Sequence, residues 1–265
     1  LWRVDPNRFP LLKRTFLRIM VPFSVRRADG VIAVSNSTKN EILQTIGISP
    51  KKIRVIYEAI PIEIESQDFR AGEERDSLPP RRAEKKEAPF FLYVGRLERG
   101  KNVLGLIRAF EAGLENEFKG MTLKIVGAPG WQSDYDNLLE PFRHKTQIDF
   151  LGQVSDEALA YLYKKALAFI YPSFDEGFGL PVLEAMGFGI PVITSNCSSL
   201  PEVAGNAAIL VDPRDQRALA QAMVSVKKNL LIRQELVQKG FERVKQFSWN
   251  TAAHETWSVY QKILS

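Results

Sequence analysis

Residues 171–194 read YPSFDEGFGLPVLEAMGFGIPVIT and have the residue types and spacing that could bind a phosphate group. An apolar run predicts a strand, which leads into the turn Gly177-Phe178-Gly179 and then into a helix that begins near Leu180. Glycines leave backbone N–H groups accessible, and a helix N-terminus carries about half a positive unit charge. We therefore expect Gly177, Phe178, Gly179 and Leu180 to bind an anion through their backbone.

Two glutamates bracket this turn. Glu176 precedes it and Glu184 follows one helical turn inside the predicted helix, eight positions later. Both carboxylates can accept hydrogen bonds from vicinal hydroxyls, which a sugar and a ribose both offer. Together with a phosphate cradle they predict a nucleotide-sugar site. The alternative is that Glu184 is a solvated helix residue, Glu176 an acidic partner of the helix dipole, and the glycines ordinary turn residues.

A second candidate binding loop, GRLERGKN at residues 95–102, directly follows a predicted strand. Arg96 can bind two phosphate oxygens through its planar guanidinium, and Lys101 can supply a point charge. We expect the two cations to neutralise a diphosphate as it departs, with Gly95 lining the same site. Arg99 is interpreted as a solvated basic residue of the loop.

Short apolar runs and longer helical patterns alternate along the whole chain, which predicts parallel strands covered by helices on both faces. The expected fold class is therefore α/β, with a doubly wound, Rossmann-like parallel sheet. Ligands of such sheets bind at the carboxyl ends of the strands, where both candidate loops fall. The predicted strands are Val31–Val34, Ile53–Ile56, Phe90–Val94, Thr122–Val126, Ile148–Leu151, Ala168–Tyr171, Val192–Thr194 and Ala208–Val211.

Composition divides the chain into segments. Residues 66–89 are rich in both charge signs and too poor in apolar residues to fold alone, so they are predicted to form a charged linker or mobile loop. Only two strands precede this segment, too few for an independent open sheet, and residues 1–65 are therefore predicted to be the end of a truncated domain. Residues 90–249 have the pattern of a complete α/β unit.

A basic amphipathic helix is predicted near the start of the sequence and is expected to end near Pro22. It has two interpretations, a helix at a membrane surface and an ordinary helix that faces the core, of which the second is favoured. The pattern consists of the apolar residues Phe9, Leu12, Phe16, Ile19 and Met20 and the interleaved cations Lys13, Arg14 and Arg18.

Composition excludes several other classes of protein. The chain of 265 residues contains one cysteine and two histidines, so we expect no disulfide and no metal site, and Cys197 is interpreted as a small buried residue. Its apolar runs are too short to span a membrane and its first residues lack a secretory signal, which favours the cytoplasm. The net charge of +5 comes without a zinc or helix-turn-helix signature, so nucleic-acid binding is not expected.

Four segments in the same order resemble the retaining glycosyltransferases of family 4, which have the two-domain B-type fold. They are ADGVIAVSNSTKNEI at 28–42, YVGRLERGKN at 93–102, FLGQVSDEAL at 150–159 and EGFGLPVLE at 176–184. The resemblance spans nearly the entire chain. It implies that residues 1–65 are the end of the acceptor domain, whose preceding part would carry a glycine-rich loop and a histidine. It also implies that residues 90–249 bind the nucleotide sugar and that residues 250–265 form a helix crossing back to the first domain.

The resemblance implies a role for each candidate residue. Arg96 and Lys101 would bind the donor diphosphate, and Glu184 the ribose hydroxyls. Glu176, with the backbone of residues 177–180, would hold the transferred sugar and its phosphate. The backbone of Gly152–Val154, and thus Val154, would meet the nucleotide base, whereas Trp249 and Trp257 would be packing anchors.

The reaction implied is transfer of a hexose with retention of configuration and without a metal or other cofactor, in which the departing phosphate takes the acceptor's proton. Likeness to bacterial mannosyltransferases suggests mannose from GDP-mannose, with glucose, galactose and rhamnose as alternatives. The acceptor would be a glycan or a lipid-linked glycan of the cell surface, and the inner face of the membrane a possible peripheral contact. The alternative functions are a non-catalytic nucleotide-sugar-binding module and a sugar-nucleotide epimerase.

Overall fold

The computed structural model describes residues 11–60, 88–114, 116–130 and 133–265. Eight short runs of mostly apolar residues form parallel strands, at the positions predicted from sequence to within one residue at either end. Two of them form a small sheet and the other six a larger one. The strands are β1 (Val31–Ala33), β2 (Ile53–Val55), β3 (Phe90–Val94), β4 (Thr122–Val126), β5 (Ile148–Gly152), β6 (Ala168–Tyr171), β7 (Val192–Ser195) and β8 (Ala208–Val211).

The larger sheet has the strand order β5-β4-β3-β6-β7-β8, and all its neighbouring strands are parallel. Within this sheet β3 is central and comes first in sequence. The next two strands, β4 and β5, lie on one side of β3, and β6, β7 and β8 lie on the other side. This order is that of a doubly wound sheet with its switch point between β3 and β6. The predicted α/β fold class is therefore confirmed.

Helices cover both faces of this sheet, because its central strands are apolar at every position. Phe91, Leu92 and Tyr93 of β3 and Phe169 and Ile170 of β6 are completely buried. The helices are α1 (Leu11–Arg27), α2 (Asn36–Ile46), α3 (Val103–Leu114), α4 (Ser133–Leu139), α5 (Asp156–Lys165), α6 (Leu180–Gly187), α7 (Leu200–Ala204), α8 (Gln216–Lys228), α9 (Leu230–Val244) and α10 (Trp249–Leu264).

Helix α1 differs from the prediction in two respects. It continues through Pro22 to Arg27, because a proline removes only one N–H donor and the residues after it keep their helical bonds. The apolar residues Phe16 and Ile19, which the pattern placed on the core-facing side, are 61% and 63% exposed, and Phe23 is 53% exposed. The favoured interpretation of this helix was therefore wrong for the part of the chain that the structure describes.

The last helix returns to the beginning of the chain. Val259 and Ile263 of α10 lie beside Gly30, where an added Cβ would come within 2.8 Å of the Ile263 Cδ1 atom. Trp249 and Trp257 are 42% and 60% exposed on α10, so their burial among the described residues does not support the interpretation of these two residues as packing anchors. The predicted linker lies almost entirely outside those residues, and the predicted domain boundaries stay predictions.

Candidate functional site

The loops that follow β3 and β6 meet at the switch point of the sheet. The loop after β6 donates two hydrogen bonds to the loop after β3. The Phe174 N–H and the Ser173 hydroxyl both donate to the Gly100 carbonyl, at 2.8 and 2.9 Å. The two segments that the sequence singled out, residues 95–102 and 176–184, therefore belong to one site.

Hydrogen bonds tie the β3 loop to the loops after its neighbours. Gly95 N–H donates to the Val126 carbonyl at 2.9 Å, Leu97 N–H donates to the Ala128 carbonyl at 3.0 Å, and Gly127 N–H donates to the Gly152 carbonyl at 2.8 Å. The loops after β3, β4 and β5 thus form a continuous edge. Val154, the predicted base contact, lies in the third of these loops and is packed partly against the core.

Close backbone approach is why glycines stand at this edge. Gly127 has φ +144°, and a Cβ there would lie 2.0 Å from the Gly95 carbonyl oxygen. Only glycine can occupy such a position without moving the β3 loop. The Arg96 backbone is held as well, because the buried Tyr93 hydroxyl donates to the Arg96 carbonyl at 3.1 Å, while the residue itself is exposed at the loop surface.

Lys101 and Glu176 form the direct link between the two predicted segments. The Lys101 ammonium donates to both carboxylate oxygens of Glu176, at 2.6 and 2.7 Å. The side chains are 15% and 10% exposed, so the pair is largely shielded from water. The Lys101 ammonium also lies 5.8 Å from the centre of the Tyr171 ring, which is attractive for a cation.

Serine hydroxyls fix the backbone of the turn after Glu176. The Glu176 N–H donates to the Ser198 hydroxyl at 3.1 Å. The Ser199 hydroxyl, which is completely buried, donates to the Glu176 and Phe178 carbonyls at 3.0 and 2.6 Å. The carbonyl between them, that of Gly177, accepts from residues at the other end of the chain, Ser35 at 2.6 Å and Thr38 at 3.0 Å.

The N–H groups of residues 177–179 differ from the carbonyls of this turn in their hydrogen bonding. Those of Gly177, Phe178 and Gly179 make no hydrogen bond to the residues that the structure describes. Gly179, with φ +119°, is the N-cap of α6, so the row of N–H groups continues into the first turn of that helix at Leu180. Successive backbone N–H groups without acceptors beside a helix N-terminus are groups of the kind that bind anions in proteins, which makes this turn a candidate anion site.

Glu184 lies inside α6, where its carboxylate accepts a hydrogen bond from the Tyr163 hydroxyl at 3.1 Å. Burial raises the pKa of Glu184, and the bond from Tyr163 opposes that effect only in part. Burial, followed by the charge of Glu176, likewise holds the pKa of the Tyr171 hydroxyl well above its usual range. A carboxylate kept in such an apolar place is costly and is therefore a candidate for a ligand-binding role.

No role was predicted from the sequence for Ser35, Thr38 or Glu202, which also contact this site or brace it. Ser35 and Thr38 reach the Gly177 carbonyl from the N-terminus of α2. Glu202 of α7 accepts hydrogen bonds from the Asn36 and Ser37 N–H groups, at 2.8 and 3.2 Å. The signal that could have found Ser35 and Thr38 is the polar run Ser35-Asn36-Ser37-Thr38 just after β1, because the carboxyl ends of parallel strands face ligand sites.

The loops after β3 and β6 therefore bring together several groups of the kind that bind phosphates and hydroxyls. They combine free N–H groups, a shielded ammonium–carboxylate pair and an exposed arginine on one loop edge. Within the described ranges, no three histidine, cysteine or carboxylate residues converge to hold a metal ion. No helix in those ranges is both long and apolar enough to cross a membrane.

Comparison with known proteins gives the site a family context. The chain is 33% identical over 258 residues to O-antigen chain mannosyltransferase B of Escherichia coli, covering 97% of this chain and 66% of that protein. It is 28% identical to O-antigen chain mannosyltransferase RfbU of Salmonella typhimurium, covering 84% of this chain and 59% of that protein. The chain therefore spans about two thirds of these relatives or less.

A comparison with solved structures leads to the same kind of protein. Sucrose-phosphate synthase from Thermosynechococcus elongatus superposes with a TM-score of 0.77 at 25% identity, over 99% of this chain and 65% of that one. The family model of glycosyl transferases group 1 matches residues 74–243, more than half of the chain, and the model of glycosyltransferase family 4 matches residues 1–64. The family resemblance of the four sequence segments is thereby confirmed, and the chain belongs to the group 1 glycosyltransferases of family 4.

Proposed function

We propose that this chain binds a nucleotide-diphosphate sugar and forms the donor side of a hexosyltransferase. The observation that carries the proposal is the Lys101–Glu176 pair beside the three unbonded N–H groups of the 177–179 turn. An ammonium and backbone N–H groups suit a diphosphate, and a shielded carboxylate suits the hydroxyls of a sugar. The two kinds of group are adjacent, as the sugar and the diphosphate are in the donor.

In this proposal each residue acts on one part of the reaction. The bond between the anomeric carbon and the distal phosphate oxygen breaks, and a bond from the acceptor oxygen to that carbon forms. Arg96 and Lys101 stabilise the negative charge that the nucleoside diphosphate gains as it departs. The departing phosphate takes the acceptor's proton, so no protein nucleophile is needed. Glu184, whose pKa is raised by burial, accepts hydrogen bonds from the ribose hydroxyls.

The finer assignments are part of the proposal. The names of the two O-antigen mannosyltransferases support mannose as the sugar and a bacterial cell-surface glycan or its lipid-linked precursor as the acceptor. GDP-mannose is then the donor, transferred with retention and without a metal. Because the chain spans only part of these relatives, we assign it donor binding and assign the complete reaction to the longer protein.

Calorimetry with GDP-mannose, UDP-glucose and UDP-GlcNAc tests the proposal. We expect one donor to bind and Arg96→Ala to weaken it about tenfold or more, since a hydrogen bond to a charged group contributes about 1.5–3 kcal/mol. Arg99→Ala is the matched control, as Arg99 is an exposed cation of the same loop, and should retain the affinity of the wild type. If the folded chain binds none of the donors, the proposal is contradicted. If a protein as long as the relatives binds a donor but transfers no sugar, a non-catalytic module is favoured.

We also propose a peripheral membrane contact through α1. The helix, LLKRTFLRIMVPFSVRR, contains five cations and no acidic residue, and it exposes Phe16, Ile19 and Phe23. The Arg27 guanidinium lies 5.6 Å from the centre of the Phe23 ring, so a cation and an apolar group share one surface. Exposed aromatic and aliphatic side chains with interspersed cations suit the boundary of an anionic bilayer.

Sedimentation with vesicles tests this contact. We expect binding to vesicles that contain phosphatidylglycerol and little binding to pure phosphatidylcholine, with loss of binding in the Phe16→Ser, Phe23→Ser double variant. Leu230 and Leu231 are exposed apolar residues elsewhere, and Leu231→Ser is the control. If the α1 variant and the wild type bind vesicles equally, the membrane is not the partner of this face.

A further inference from the structure

The turn that carries the free N–H groups is held from two sides, and one of the two lies far away in the sequence. On one side Ser199, just before α7, binds the carbonyls of Glu176 and Phe178. On the other side Ser35 and Thr38, 142 and 139 positions away from Gly177, bind the carbonyl between them. Ser35 is completely buried and also accepts the Thr38 N–H at 3.0 Å, so both hydroxyls have fixed positions.

A second contact fixes the N-terminus of α2 against the same part of the molecule. Besides the two backbone N–H groups, the Glu202 carboxylate accepts from the Asn36 amide at 2.6 Å and from the Tyr57 hydroxyl at 2.8 Å. Glu202 and Ser199 belong to the same turn of chain at α7. The 176–178 segment is therefore clamped between α2 and α7, and Glu202 joins the two sides of the clamp.

The planarity of the peptide bond gives this arrangement a consequence for binding. The Gly177 carbonyl and the Phe178 N–H belong to one trans peptide unit and point in opposite directions. Fixing the carbonyl towards Ser35 and Thr38 therefore fixes the Phe178 N–H on the opposite side. Gly177 offers no side chain that could restrain this unit, and the two hydroxyls are the groups that bond to its carbonyl directly.

We propose that Ser35 and Thr38 are positioning residues for the donor's distal phosphate and sugar, acting through the Gly177–Phe178 peptide. This inference rests on the proposed donor binding. In it, the small β1–α2–β2 unit contributes to the affinity of a site built mainly on the larger sheet. The nucleoside end of the donor is not affected, because it lies against the β5 loop and Glu184.

Thr38→Val tests the inference, because it removes the hydroxyl and keeps the shape. We expect affinity for the nucleotide sugar to fall about fivefold to tenfold and affinity for the nucleoside monophosphate to change less than about twofold. Thr38→Ser retains the hydroxyl and should restore the affinity. Thr45→Val is the matched control, since the Thr45 hydroxyl bonds only within α2, to the Glu41 carbonyl at 2.7 Å. A purely structural role would weaken both ligands alike and would overturn the inference.

A measurement without ligand separates this inference from the proposed function. The carbonyl carbon resonance of Gly177 should shift in Thr38→Val and not in Thr45→Val, since only the first change removes a hydrogen bond to that carbonyl. If Arg96→Ala weakens donor binding while Thr38→Val alters neither the resonance nor the affinity, the positioning role fails and donor binding stands. If the wild type binds no donor, both fail.

Discussion

Lys101 and Glu176 are 75 positions apart in the chain, yet the lysine ammonium lies within 2.7 Å of both carboxylate oxygens of the glutamate. The pair joins the loops on either side of the switch point. Both side chains are nearly buried, so each charge depends on the other for compensation.

Removing one member of this pair should therefore cost more than removing both. We expect Lys101→Met to lower the free energy of unfolding by about 3 kcal/mol, because it leaves a shielded carboxylate unpaired. The Lys101→Met, Glu176→Gln double variant should be more stable than the sum of the single effects predicts, by about 1 kcal/mol or more. Urea unfolding of the four proteins measures this coupling, and strict additivity would show that the pair is not coupled in solution.

The carboxyl group of Glu184 should reduce the stability of the chain at neutral pH. Its folded-state pKa is raised by burial, so the folded state prefers the protonated acid and loses stability as the pH rises through that pKa. Glu184→Gln should therefore be more stable than the wild type at pH 7 and should lose this advantage below about pH 4.5, near the unfolded pKa. The same variant should bind the donor roughly tenfold more weakly.

Thermal unfolding from pH 4 to pH 8 and calorimetry on the same samples check both parts. Glu235→Gln is the control, an exposed helical glutamate whose ion pair among the described residues is with Lys239. A variant less stable than the wild type at pH 7 would show that the Glu184 carboxylate is well compensated in the fold.

Glu202 should show the opposite dependence on pH. Burial alone would raise the pKa of this carboxyl, but the hydrogen bonds from Asn36, Tyr57 and Ser37 outweigh it and lower the pKa. A depressed pKa gives stability that is present above the unfolded pKa and lost as the pH falls through the folded one. We expect Glu202→Gln to destabilise the chain by about 1–2 kcal/mol at pH 7, with the difference from wild type shrinking below about pH 4.5. Urea unfolding at both pH values measures it, and a pH-independent difference would contradict the role of the charge.

The contact between the β3 and β4 loops predicts that an alanine at Gly127 destabilises the chain more than an alanine at Gly100. Gly127→Ala would place a Cβ 2.0 Å from the Gly95 carbonyl at an unfavourable φ, and should destabilise the chain by about 3 kcal/mol. Gly100→Ala in the neighbouring loop meets no atom within 4 Å and should change stability by less than about 0.5 kcal/mol. Chemical denaturation of both variants is sufficient, and equal effects would show that the two loops separate in solution.

Local patterns were sufficient for the strands and for most helices. β3, β4, β6 and β8 have the predicted bounds, because each is a short run of mostly apolar residues. The pattern of residues 103–118 alone predicts a helix that reaches Phe118, but α3 ends at Leu114, and the Glu117 and Phe118 N–H groups both turn back to the Gly113 carbonyl. The Phe118 ring then packs on Gly113, where no side chain intervenes.

The candidate site was also predicted only in part from the sequence. Arg96, Lys101, Glu176 and Glu184 were found from loops at strand ends, and the structure brings Lys101 and Glu176 into contact. The roles of all four stay predictions. Ser35, Thr38 and Glu202 were missed, because their contacts are with residues more than 130 positions away and nothing in a local pattern encodes such a contact.

The bond between Ser35 and Gly177 also bears on the order in which the protein gains its properties during refolding. Closing a loop of this length is slow relative to forming a helix or a neighbouring pair of strands. Helical circular dichroism should therefore recover before the clamp on the 176–178 segment is complete, and ligand affinity should recover last. The chain would pass through a stage with a native sheet and an unformed anion cradle, so its binding competence depends on a contact between residues far apart in the sequence.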